Sequence, residues 1–160
     1  MPLALMNHSD DSRTPPKAID ASQFAWEQAA ADPMTAARVR TELGTWLRTR
    51  FADDERVDDI LLAVYEAFAN AAEYAYLEHA APGTVDVLAR IDPQANTLTV
   101  TVTDHGHWRQ PRIDHTDPAH QLRGRGIPLM KALASEASIR TTGLGTQVQL
   151  TWRHLLGATS

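Results

Sequence analysis

The chain contains no cysteine. Disulfides and thiolate metal sites are therefore excluded, and a reducing interior is compatible, so a cytoplasmic location is the natural expectation. No apolar run approaches the roughly 18 residues that a membrane helix needs. The opening MPLALMNHSDDSRTPPK also lacks the basic leader and long apolar stretch of a secretory signal, so no membrane partner is expected. Basic residues are in short supply as well. Fifteen Lys and Arg stand against 20 Asp and Glu, a net charge of −5. They are scattered among acids rather than gathered into a stripe, which argues against nucleic acid as a partner. There is no internal repeat.

What is present suits one globular domain: 160 residues at 43% apolar content can bury roughly two thirds of the unfolded surface. Residues 1–16, rich in proline and polar side chains, read as a disordered lead-in. The domain is expected over 17–153, with a short tail over 154–160. After a short edge strand near Phe24, Asp32 and Pro33 form a helix opening, an acid at the N-cap and proline at the first helical position. A helix over 34–50 follows, with Ala36, Val39, Leu43, Trp46 and Leu47 at helical spacing. Gly44 inside it costs about 1 kcal/mol against alanine, which predicts close packing or a small bend there. Residues 51–56 read as a polar connector.

Residues 58–77, DDILLAVYEAFANAAEYAYL, carry the richest signal. At about 100° per residue, Ile60, Val64, Phe68, Ala71 and Ala75 stack on one side, while Glu66, Asn70 and Glu73 share the other. An acid and a carboxamide four residues apart are neighbours on consecutive turns, able to act together on one ion or one reacting hydroxyl. Glu73 on the same face reads as a solvated acid. Two alternating segments then predict a hairpin, 84–91 and 97–103, around the turn material Asp92-Pro93-Gln94-Ala95-Asn96. In the second strand Leu98, Val100 and Val102 point one way and four threonines the other.

That strand ends in Asp104-His105-Gly106-His107-Trp108, and the segment up to Arg123 lacks periodicity, as a lid or binding loop does. An aspartate at a strand end, followed by glycine, lets a flat ring lie on the backbone while the carboxylate accepts from an exocyclic amine. By itself this pattern is more often a strand-terminating turn. Gly124-Arg125-Gly126 opens a helix, Ile127 to Ala134, and offers N–H groups and a dipole end to phosphate, with Arg123 and Arg125 adding charge. By itself it is more often a tight loop. His105, His107, His115 and His120 crowd the long loop and raise zinc as an option, but no cysteine or helical histidine spacing supports it. Residues 137–141 and 146–152 close the chain as a hairpin around Gly143 and Gly145. Trp46 and Trp152 read as core, and Trp108 lies beside the Asp104 motif.

The order of EAFANAAEYAY, DHGHW and GRGIPLMKALA along the chain resembles the GHKL ATPase superfamily, and more narrowly the serine-protein kinase anti-sigma factors of the RsbW and SpoIIAB type. The resemblance runs from about Ala18 to Trp152. It implies an α/β (α+β) two-layer sandwich, a mixed, mostly antiparallel sheet covered on one face by helices, the Bergerat-type ATP-binding fold. It further implies ATP and Mg²⁺ as cofactors, with Asn70 on the metal and Glu66 as the base that takes the proton of an attacking serine. Asp104 would hold the adenine amine with Gly106 below the ring. Arg123, Gly124, Arg125 and Gly126 would close on the phosphates, and Thr146 would reach the base side. The implied partners are a STAS-type anti-anti-sigma factor as substrate, a sigma factor and a second copy in a homodimer.

Two positions depart from the family pattern. His107 replaces the second glycine of Asp-x-Gly-x-Gly, which predicts a stiffer lid, and Tyr74 replaces a frequent histidine or lysine. The competing functions are a nucleotide-gated binding module without phosphotransfer and, last, the catalytic piece of a histidine kinase. The last lacks a dimerising helix with a phosphoacceptor histidine ahead of Glu66.

Overall fold

A computed structural model of the chain describes residues 17–20, 22–51, 53–75, 83–106 and 127–154. Its strands are β1 (Lys17–Asp20), β2 (Gln23–Ala30), β3 (Thr84–Asp92), β4 (Thr97–Asp104), β5 (Glu136–Thr142) and β6 (Gly145–Arg153). The helices are α1 (Pro33–Arg48), α2 (Asp54–Asn70) and α3 (Ile127–Leu133), and a π-helical turn, Ala71–Ala75, continues α2. The strands form one six-stranded sheet in the order β1-β2-β3-β4-β6-β5. Every pairing is antiparallel. This is the helix-covered, mostly antiparallel sandwich that the sequence predicts. Of the expected tails, 1–16 and 154–160, only His154 lies within the described residues, its N–H bonded to the Asn96 carbonyl at 2.9 Å.

Local chemistry sets the helix starts. Asp32 caps α1, its carboxylate accepting the Thr35 N–H at 2.7 Å, with Pro33 at the first position. Asp53 caps α2, accepting the N–H groups of Glu55 and Arg56 at 3.1 and 3.2 Å. The polar run that reads as a connector up to residue 56 is thus partly the first turn of α2. Acids at positions 54 and 55 suit the positive end of the helix dipole, so low hydrophobicity there marks a helix start rather than a loop. Arg48 bonds Asp58 at 2.9 Å and helps join the two helices. Gly44 marks their close contact, since a Cβ there would lie 3.0 Å from Leu61 Cδ1.

β2 differs from the expected short edge strand. It is eight residues long and lies inside the sheet, between β1 and β3. Its alternation is hidden by a bulge between Trp26 and Ala29. The extra residue leaves Phe24, Trp26 and Ala29 all buried while Gln28 takes φ 57. The Gln28 N–H donates to Asp86 Oδ1 on β3 at 2.7 Å, which gives the displaced amide a partner.

One core lies between the sheet and the helices, built on Trp26, Leu43, Leu47, Ile60, Phe68, Leu98, Met130 and Leu150, all fully buried. Trp46 and Trp152 belong to it as expected. Trp46 stacks at 5.8 Å from Phe24, tying α1 to β2, and Trp152 Nε1 donates to the Leu133 carbonyl at 2.8 Å, tying β6 to α3. Leu98, Val100, Val102 and Asp104 of β4 point into this core, and the intervening threonines face the other way.

Candidate nucleotide site

Asp104 is the only carboxylate buried among the described residues, with 2% of its surface exposed. Its Oδ1 accepts two backbone N–H groups, from Gly106 and from Thr146, each at 3.1 Å. The first bond is an Asx turn that ends β4. The second follows from strand register, because Thr103 on β4 pairs with Gln147 on β6 and so brings the two neighbouring residues together.

Gly145 makes that approach possible. It has φ +146, and a Cβ on it would fall 2.0 Å from the Asp104 carbonyl oxygen. Only glycine fits such a backbone contact. Next to it, Thr146 is 1% exposed and its Oγ1 has no hydrogen-bond partner among the described residues. A buried hydroxyl without a partner costs stability unless a ligand or water completes it. A carboxylate beside such a hydroxyl can accept from an exocyclic amine while the hydroxyl serves a ring nitrogen, directly or through water. A hollow of about 300 Å³ opens over Asp104, Gly145 and Thr146, with His105, Arg140 and Leu144 on its walls.

On α2, Ala63 and Ala67 are completely buried and Asn70 is 4% exposed. Glu66, one turn before Asn70, is half-buried. The pair therefore lies on the flank of the core stripe, not on a solvated face opposite it. Glu73 parts company with them. It is exposed and lines a separate hollow with Asp32, Tyr65, Ala69 and Ala72. The reason is the π-helical turn that starts directly after Asn70, where the Ala71 N–H is shared between the Ala67 and Phe68 carbonyls. A wider turn rotates by less than 100° per residue, so Glu73 falls behind the phase that an unbroken α-helix would give it. Glu66 and Asn70 line neither hollow. The turn that follows Asn70 packs against β3, β4 and β6, and α3 packs against α2.

The structure thus brings Asp104, Gly106 and Thr146 into one hydrogen-bonded group and sets Glu66 and Asn70 a turn apart on α2. Arg123, Gly124, Arg125 and Gly126, like the expected lid over 107–123, lie outside the described residues. Of the four histidines, His105 is described. Its Nε2 is 3.1 Å from Asp86 Oδ2, and no group of three or more metal-ligating side chains occurs among the described residues. The Asp86 contact with His105 and the demand for glycine at 145 are the features that sequence reasoning missed. Both are cross-strand contacts that no local pattern announces.

Residues 29–152 match the model of a family described as the histidine kinase-like ATPase domain. The chain belongs to this family. Among solved structures, this histidine kinase-like ATPase domain is similar to the RsbU and RsbW domains of Rv1364c from Mycobacterium tuberculosis. The identity is 26% and the TM-score 0.62, over 88% of this chain and 32% of that one. It shares its fold with the Erythrobacter litoralis EL346 blue-light activated histidine kinase, at 23% identity and a TM-score of 0.51, over 66% of this chain and 33% of that one. The chain therefore spans about a third of the length of either relative. No helix among the described residues is long and apolar enough to cross a membrane.

Proposed function

We propose that the chain is an ATP- and Mg²⁺-dependent serine-protein kinase and anti-sigma factor, which phosphorylates a STAS-type anti-anti-sigma factor and otherwise holds a sigma factor. The observation that carries the nucleotide half is the Thr146 Oγ1, which has no partner among the described residues and is buried beside the doubly anchored Asp104. The similarity to RsbU and RsbW domains supports the regulatory half.

In this reading Asp104 accepts the adenine 6-amine, Thr146 completes the ring edge, and Gly106 leaves room for the base above the backbone. Bound Mg²⁺ and ATP supply the transferable phosphoryl group and the charge that neutralises it. The donor set fits Mg²⁺, which usually keeps several waters and takes only one or two protein oxygens. Asn70 offers such an oxygen next to the acid Glu66, which accepts the proton of the attacking serine hydroxyl. Arg123, Gly124, Arg125 and Gly126 hold the phosphate oxygens, and the kinase domain occupies 17–153.

The test is incubation with labelled ATP, Mg²⁺ and candidate STAS-type proteins. Label on a serine of one of them, with ATP bound in preference to GTP, is the expected result. ATP binding without transfer would leave a nucleotide-gated binding module, and no preference between ATP and GTP would remove Asp104 from adenine recognition.

A further inference from the structure

Glu73, set apart from Glu66 and Asn70 by the π turn, lines a hollow of about 310 Å³ that nucleotide binding does not use. α1 and α2 run antiparallel beside it. Arg48 meets Asp58, Gly44 meets Leu61, and the start of α1 comes level with the end of α2 and the π turn. Small side chains make the floor, Ala31 and Ala36 from one side, Ala69 and Ala72 from the other, and their size leaves the space open. Asp32 and Glu73 stand at one end. Half-buried Tyr65, two turns earlier on α2, stands at the other. Eight residues at 1.5 Å each separate the two ends by roughly 10 Å.

Both acids have capacity left over. Asp32 caps α1 through Oδ1, and its Oδ2 has no partner among the described residues. Glu73 is exposed and joins no ion pair among them. Two arginines of α1 are engaged elsewhere, Arg38 over the Trp26 ring at 5.3 Å and Arg48 with Asp58. The start of α1 does not call for an anion here. Pro33 has no N–H, and the N–H groups of Thr35 and Ala36 are both taken by Asp32.

We propose that this hollow binds a small organic cation, an alkylguanidinium or alkylammonium, with its head between Asp32 and Glu73 and its chain on the alanines against the Tyr65 ring. The chain leaves water while the head, at the open end, gains two carboxylates, so no charge is buried unpaired. A guanidinium suits the pair best, because its fixed fork of donors can serve two carboxylates at once. The volume is at the low end of small-molecule sites, room for one such chain. Arg38 and Arg40 stand exposed on the following turns of α1 and would repel a basic segment of another protein, so the ligand is a free molecule. Glu66 and Asn70 follow Tyr65 and Ala69 in sequence and are therefore turned about 100° from them. They line no part of this hollow, which is separate from the nucleotide site.

Titrating the full chain with n-butylguanidinium, without nucleotide or partner protein, tests the site independently of the kinase reading. Magnetic resonance should show saturable shifts at Tyr65, Ala69 and Ala72, with a dissociation constant of about a millimolar for so small a ligand. Neutral n-pentanol should bind more weakly. Glu73→Gln, and Asp32→Asn with its capping oxygen kept, should each weaken binding by about threefold or more with an unchanged circular dichroism spectrum. Ala69→Leu, which fills the floor, should abolish it. No saturable shift, equal binding of n-pentanol, charge variants that bind like the parent, or binding of an arginine-bearing peptide but not of the free cation would overturn the proposal.

Discussion

The amide of Thr146 donates to Asp104 Oδ1 at 3.1 Å across 42 residues of sequence. It ties the Asp104 side chain at the end of β4 to the start of β6, where strand register has already set a buried carboxylate beside a buried hydroxyl. The predictions for nucleotide recognition start from it.

Asp104→Asn keeps an oxygen for the amides of Gly106 and Thr146, so the fold should survive. The new NH₂ would face the adenine amine, donor against donor. ATP affinity should fall about 10- to 100-fold, the worth of one lost and one repelled hydrogen bond, and preference over GTP should vanish in calorimetric titration.

Thr146→Val separates function from stability. The hydroxyl has no partner among the described residues, so its removal should change unfolding free energy by less than about 1 kcal/mol, or even stabilise. ATP binding should nevertheless weaken several-fold. Thermal melts and titrations of the same preparation check both halves.

Gly145→Ala should be far more costly. Its Cβ would collide with the Asp104 carbonyl at 2.0 Å, at a φ of +146. A loss of more than about 2 kcal/mol is expected, and for a domain of this size it lowers the melting temperature by roughly 5 °C or more.

Glu66→Gln should leave ATP affinity unchanged and slow phosphotransfer to a protein serine by roughly 10²- to 10⁴-fold, the usual contribution of a general base. Single-turnover transfer measured beside equilibrium binding decides it. Equal rates in parent and variant would leave the half-buried acid without a catalytic part.

Asn70→Ala should remove the enhancement of ATP binding by Mg²⁺. Comparing titrations in Mg²⁺ and in a chelator reads this directly, and a variant that still responds to Mg²⁺ would take Asn70 off the metal.

Much of this architecture was legible in local pattern. The β3–β4 hairpin announced itself through strict alternation and its Asp-Pro turn, and α1 through Asp32-Pro33. The closing hairpin showed in its paired glycines. The illegible parts depend on contacts between distant strands or on backbone irregularity. The Gln28 bulge broke the alternation of β2 and disguised an internal strand as a short edge strand. Acids at the first turn of α2 resembled a connector because dipole and capping, rather than hydrophobicity, favour a helix there. Asp104 and Thr146 could each be noted along the chain, but only register shows that one oxygen of the first is held by the amide of the second. The phase of Glu73 could not be read at all, since nothing in AAEYA distinguishes a π turn from an α turn.

That π turn also has an engineering consequence. Cutting a single alanine from Ala71–Ala75 would allow ordinary α-helical winding to continue past Asn70. Glu66 and Asn70, lying upstream, would keep their orientation. The helix thus consists of two segments, one holding the amide and acid and the other a wider turn packed against β3, β4 and β6.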